Sequence, residues 1–103
     1  MNRLEQLLQM LQEDPHDPFL NYALALELAK AGDIDAAIDR IEGILARDEN
    51  YLGAYYQLGK FYEQSLQPEK AIQTYQRGIG IAKKQNNRKT LGELNEALLM
   101  LED

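Results

Sequence analysis

The residues that could do chemistry are few. His16 is the only histidine and the 103 residues contain no cysteine. A zinc site built from nitrogen and sulfur ligands is therefore out of reach, and no thiol chemistry is available. No metal and no cofactor are expected. His16 lies between Pro15 and Asp17, in what reads as a surface turn. Carboxylates are plentiful, but Glu42, Asp48, Glu49, Glu63 and Glu96 fall on faces that the apolar pattern leaves to solvent. A general acid needs burial or a close like charge to move its pKa, and nothing in the pattern supplies either. The closest approach to a phosphate loop is Gly78-Ile79-Gly80. It sits inside a helical stretch instead of between a strand and a helix. An enzyme is not expected.

Charge narrows the partners. There are 17 acids against 11 bases, a formal net charge of −6. Such a surface repels phosphate backbones and anionic lipid. The one basic cluster, Lys83-Lys84 with Arg88-Lys89, is short and carries no aromatic on which a base could stack. Bases near a helix end instead complement its last carbonyls. Neither nucleic acid nor a membrane is an expected partner. The longest apolar runs, such as Ala97–Leu101, fall far short of the roughly 20 residues that span a bilayer. The first residues, Met1 to Gln6, carry an acid and amides where a signal peptide would be apolar. With no cysteine to oxidise, a cytoplasmic protein is expected. At 45% hydrophobic and 27% charged residues, the chain has the composition of one globular domain.

The elements that would position side chains repeat. Gly32-Asp33-Ile34-Asp35-Ala36-Ala37-Ile38-Asp39-Arg40-Ile41 lies 34 residues before Leu66-Gln67-Pro68-Glu69-Lys70-Ala71-Ile72-Gln73-Thr74-Tyr75. Ala37, Ile38 and Ile41 fall on Ala71, Ile72 and Tyr75. At the same offset Tyr22, Leu24, Ala25 and Leu28 fall on Tyr56, Leu58, Gly59 and Tyr62, and Leu11 with Asp14 falls on Leu45 with Asp48. Each unit reads as two helices, because its apolar residues recur at helical spacing. Asp17-Pro18 opens a helix with an N-cap acceptor and a proline at the first position. Gly32 ends that helix and Asp33 caps the next. Flanking the repeats, Leu4, Leu7, Leu8 and Leu11 form an amphipathic stripe, as do Leu91, Leu94, Leu98 and Leu101. For the last helix both Thr90, with Glu93, and Asn87 are candidate caps.

Tyr55-x-x-Leu58-Gly59-x-x-Tyr62 followed by Ala71-x-x-x-Tyr75 resembles the tetratricopeptide repeat signature, with tyrosines where that family often carries tryptophan and phenylalanine. The first unit keeps Leu24, Ala25, Leu28 and Ala37 but has Asn21 and Ile41 at the aromatic places. The resemblance implies an all-α fold, a right-handed superhelical array of antiparallel helix pairs with about six helices. It divides the chain into an N-terminal half-repeat (2–16), two repeats (18–51 and 52–85) and a C-terminal capping helix (87–102). Gly59 and Ala71 would let paired helices approach, with Tyr62 and Tyr75 between units. Gly78 stands at a small-residue place of the second helix, whereas Gly80 has no such reason.

In that family the first helix of each pair lines a concave groove that binds a peptide or a partner's helix. Carried across, the groove positions are Phe19, Tyr22 and Leu26, then Tyr56, Gln57 and Lys60. Tyr22 and Tyr56 would be neighbours, and Tyr56 and Lys60 would face solvent. Phe19 and Leu26 either line the groove or pack under a terminal helix. One subgroup grips chaperone C-termini with a lysine and two asparagines. Tyr22, Leu26 and Gln57 stand in those places, so that clamp is missing. The expected function is a protein-interaction module, an adaptor or scaffold. The alternative is self-association through the same groove, as a homodimer or stack.

Overall fold

A computed structural model describes residues 1–102. Six helices follow one another: α1 (Arg3–Glu13), α2 (Pro18–Lys30), α3 (Ile34–Arg47), α4 (Gly53–Gln64), α5 (Pro68–Lys84) and α6 (Arg88–Leu101). Four of the six starts are capped by a side chain, with Asp17 and Asp33 in the predicted roles. The side chains of Asn2, Asp17, Asp33 and Asn87 each accept a backbone N–H three residues on, at 2.8–3.1 Å. Each satisfies a donor that the helix cannot. Of the two candidate caps for α6, Asn87 is the one used.

The helix ends repeat as well. At the end of α2, Asp33 N donates to Leu28 O at 2.9 Å and Gly32 N to Ala29 O at 3.0 Å. The same pair of bonds closes α4 (Gln67 N to Tyr62 O, Leu66 N to Glu63 O) and α5 (Asn87 N to Ala82 O, Asn86 N to Lys83 O). This closure places one residue in the left-handed region, with φ 92° at Gly32, 61° at Leu66 and 56° at Asn86. Glycine and asparagine tolerate it. Leucine pays roughly 1–2 kcal/mol for its Cβ, and Leu66 gains little packing in return because it is 86% exposed.

Consecutive helices pack as neighbours throughout, and α4 also reaches α6. Ala25, Ala37, Ile41, Ala54, Tyr55, Leu58, Phe61, Ala71, Tyr75 and Leu94 form the centre of the main core, none more than 2% exposed. A second cluster of Leu7, Leu11, Leu20 and Leu24 fastens α1 to α2.

Two glycines set the crossing distances. A Cβ built on Gly59 would lie 2.7 Å from Tyr75 Cδ1 and closer still to Cε1 and Cζ, inside the ring. One on Gly78 would meet Tyr55 Cβ at 2.7 Å and Leu94 Cδ1 at 3.0 Å. Tyr75 thus packs within its own pair, not between units as expected from the motif. The ring lies across Gly59 because the gap over a glycine is where a ring fits. Tyr62 does reach the preceding unit, where its hydroxyl donates to Glu42 of α3. Gly80 faces open space, and nothing in the fold requires it.

These contacts predict stability changes of opposite sign. Gly59→Ala should destabilise by about 1–3 kcal/mol, since the Tyr75 ring cannot yield without losing its seat. Leu66→Gly should stabilise by about 1 kcal/mol through relief at positive φ. Urea denaturation followed by circular dichroism measures both. Equal midpoints for Gly59→Ala and the parent would mean that α4 and α5 do not cross there.

Candidate interaction groove

The six predicted groove residues lie on α2 and α4, and their exposures do not follow expectation. Phe19 and Leu26 do not pack under a terminal helix. They remain 67% and 37% exposed, with Tyr22 half-buried between them in sequence. Spacings of three and four residues put the three on one stripe of α2. On α4, Tyr56, Gln57 and Lys60 are half-buried, so Tyr56 and Lys60 are less open to solvent than expected.

The reason is a cluster that the sequence pattern did not reveal. Tyr56 packs on Tyr75, with ring centroids 6.3 Å apart and planes tilted by 45°. Lys60 Nζ stands 5.3 Å from the centre of the Tyr56 ring and 3.8 Å from Glu63 Oε2. Glu63 in turn accepts the hydroxyl of Tyr75, which is fully buried. Glu63 is accordingly not the solvated acid that its place in the sequence suggested. Because Tyr56 takes Tyr75 as its ring partner, no ring pair of Tyr56 with Tyr22 occurs among the described residues. Tyr22 lies instead near Tyr51 of the α3–α4 link, close enough for that phenol to raise its pKa beyond what burial does.

The phenols of Tyr75 and Tyr62 are held well above their ordinary range. Burial is the main cause in both, followed by the hydrogen bond to, and the charge of, Glu63 or Glu42. A charged phenolate beside a carboxylate in a poorly solvated place is disfavoured twice over. None of this makes a catalytic constellation. Among the described residues, no group of three or more His, Cys, Asp or Glu side chains could hold a metal, and no helix is long and apolar enough to cross a membrane.

Residues 28–93 match the tetratricopeptide repeat family. The chain belongs to that family. Among solved structures it is similar to a tetratricopeptide repeat domain protein of Salinibacter ruber. Against the crystal structure of that protein the identity is 41%, over 84% of this chain and 96% of the other, with a TM-score of 0.77. Against its solution structure the values are 42%, 86%, 90% and 0.82. The solution structure of a Bordetella parapertussis protein is 25% identical over 98% of this chain and 88% of its own, with a TM-score of 0.84. No curated protein matches the chain in sequence. In this tetratricopeptide repeat protein the first helices of the two pairs are α2 and α4, and the exposed large apolar residues on them are Phe19 and Leu26 of α2.

The tyrosine–carboxylate pairs predict an alkaline weakness. Their folded-state pKa values lie above the ordinary 10.0. The stability they contribute is therefore complete below pH 10 and lost as pH rises from there through the folded values. Urea midpoints should hold steady from neutral pH to about 10 and fall above it. Tyr75→Phe should lower stability by roughly 1–3 kcal/mol at neutral pH through the lost bond to a charged acceptor, and should flatten the alkaline fall. An identical alkaline slope in Tyr75→Phe would show that Tyr75 ionises as freely folded as unfolded.

Proposed function

We propose that this protein is an interaction module that binds a peptide or helix of another protein along the inner face of α2 and α4. The observation that carries the reading is the stripe of Phe19, Tyr22 and Leu26, two of whose three apolar side chains are exposed although the α1–α2 turn brings other apolar groups under cover. An aliphatic and aromatic stripe at helical spacing suits a ligand with an apolar face. Aromatic anchors with few torsions are where binding energy concentrates. Lys60, tethered by Glu63 and stacked on Tyr56, supplies one oriented charge at the edge of that face. Membership of a family whose members bind proteins supports the general class. The absence of carboxylate-clamp residues at Tyr22, Leu26 and Gln57 argues for an apolar ligand over a chain terminus.

The exposed positions give the cleanest test, because their replacement does not touch the core. Immobilised protein should capture a partner from native lysate that Phe19→Ser/Leu26→Ser does not. With that partner purified, Phe19→Ala should cost about 2 kcal/mol in affinity by titration calorimetry. Lys60→Ala should cost less and mainly slow association, more so at low salt. Gln73→Ala, exposed on α5, should change nothing. The competing reading is self-association through the same stripe. Light scattering decides it: dimers that dissociate on dilution and are lost in Phe19→Ser/Leu26→Ser would replace the proposal, whereas a monomer at high concentration would remove the alternative.

A further inference from the structure

The two repeats differ most at one place. In the second, the ring of Tyr55 is 1% exposed, its hydroxyl donates to Glu49 O at 2.6 Å, and Arg77 stacks with its guanidinium carbon 5.4 Å from the ring centre. Thirty-four residues earlier stands Asn21, itself buried at 8% exposure. It keeps the bond of the tyrosine: Nδ2 donates to Pro15 O at 3.0 Å, the carbonyl 34 residues before Glu49, and to Asp17 O at 2.9 Å. It does not keep the ring. A cavity of about 620 Å³ opens there, between α3 and the α1–α2 turn, lined by Pro15, His16, Asn21, Arg40, Ile44 and Arg47 among others. It shares no residue with the inner groove.

The two arginines at this cavity have no counterpart at their own positions in the second repeat, whose arginine, Arg77, stands at the place of Gly43. Thirty-four residues beyond Arg40 and Arg47 stand Thr74 and Ile81, both buried. Although the chain carries 17 acids to 11 bases, neither arginine has an ion-pair partner among the described residues. Arg40 Nη1 donates to Asn21 Oδ1 at 3.1 Å. Arg47 Nη2 lies 2.9 Å from His16 Nε2, and a guanidinium can only donate, so that nitrogen is the acceptor. Each arginine retains further N–H groups, and a guanidinium fork matches carboxylate or phosphate oxygens. Asp39 is the one carboxylate on the lining, and it pairs with neither.

We propose that this cavity is a second binding site, for an oxyanion carried on a flat ring. The ring takes the space that Tyr55 fills in the second repeat, the oxyanion is held by Arg40 and Arg47, and Asn21 forms a polar floor.

Nuclear magnetic resonance titration of the isotope-labelled full chain tests this with three probes: phenyl phosphate, benzoate and inorganic phosphate. At least one ring-bearing probe should give saturable shifts at the Asn21 side-chain amide and at Gly43, and inorganic phosphate should bind about tenfold or more weakly. Which ring probe binds better tells a phosphate from a carboxylate ligand. Arg47→Gln, at an exposed position whose loss leaves the core intact, should weaken binding about tenfold. Arg40→Lys, which keeps the charge and loses the fork, should weaken it as well. Asn21→Tyr should abolish it by occupying the cavity; the spectrum of α4–α6 reports whether each variant is folded. Shifts that do not saturate, that survive Arg47→Gln, or that inorganic phosphate produces equally well would overturn the proposal.

Discussion

Tyr75 lying flat across Gly59 is the contact on which the rest of the molecule depends. A ring can sit on a helix backbone only where the Cβ is missing, and no other residue at position 59 leaves that space. Once the ring is seated, α4 and α5 cross at a fixed distance, and the ring edge is available to Tyr56 while the hydroxyl points at Glu63. Glu63 then holds Lys60 near the Tyr56 face. A packing requirement inside the core thereby orders polar and aromatic side chains on the inner surface, with no additional element. The neighbouring contact of Gly78 with Tyr55 and Leu94 does the same for the approach of α6. Repeat folds bury little against anything but their neighbours, so these two crossings bear most of the positional information in the second half of the chain.

The larger features were legible in the sequence because they rest on local chemistry. Caps at Asp17, Asp33 and Asn87, the stop at Gly32 and the 34-residue period each follow from residue type and spacing, and all reappear in the fold. The small-residue requirement at Gly59 and Gly78 was legible for the same reason. What escaped were features that depend on where a side chain ends. The motif marks Tyr75 as a packing residue but does not say against which helix. Glu63 follows Lys60 and Tyr62 in a pattern that reads as a solvated face, yet a hydroxyl from twelve residues away covers it. For the groove, the period places the six residues on inner helices, while their exposure depends on neighbours from other elements. Phe19 stays open because the short α1–α2 turn carries no side chain over it, and Tyr56 is half-covered because Tyr75 arrives beside it.

Leu66 and Gly80 show that not every departure from the best local choice has a purpose in this fold. Leu66 occupies a left-handed position that its counterpart Gly32 fills without strain, and its side chain stands in solvent. Gly80 weakens a long helix and makes room for nothing. Both exceptions sit on the outside of the second repeat, where a cost of about 1 kcal/mol is tolerable in a chain with two well-formed crossings.

Position 21 is a departure of another kind, since several changes agree there. Exchanging a buried tyrosine for asparagine removes most of the volume yet preserves a hydrogen bond to the corresponding carbonyl of the preceding turn. The partner glycine of that tyrosine, Gly78, is replaced by Ile44, which recovers part of the lost apolar contact and lines the rest of the space. Two arginines then appear at places where the second repeat has a buried threonine and a buried isoleucine. A repeat that had merely decayed would be expected to collapse or to fill with apolar side chains, as cavities in close-packed interiors are costly. Here the opening is walled by groups that stay solvated by themselves and are better satisfied by an anion. The first repeat therefore carries surfaces of two chemistries: an exposed apolar stripe on α2, and a recess between α3 and the α1–α2 turn that is lined by two arginines.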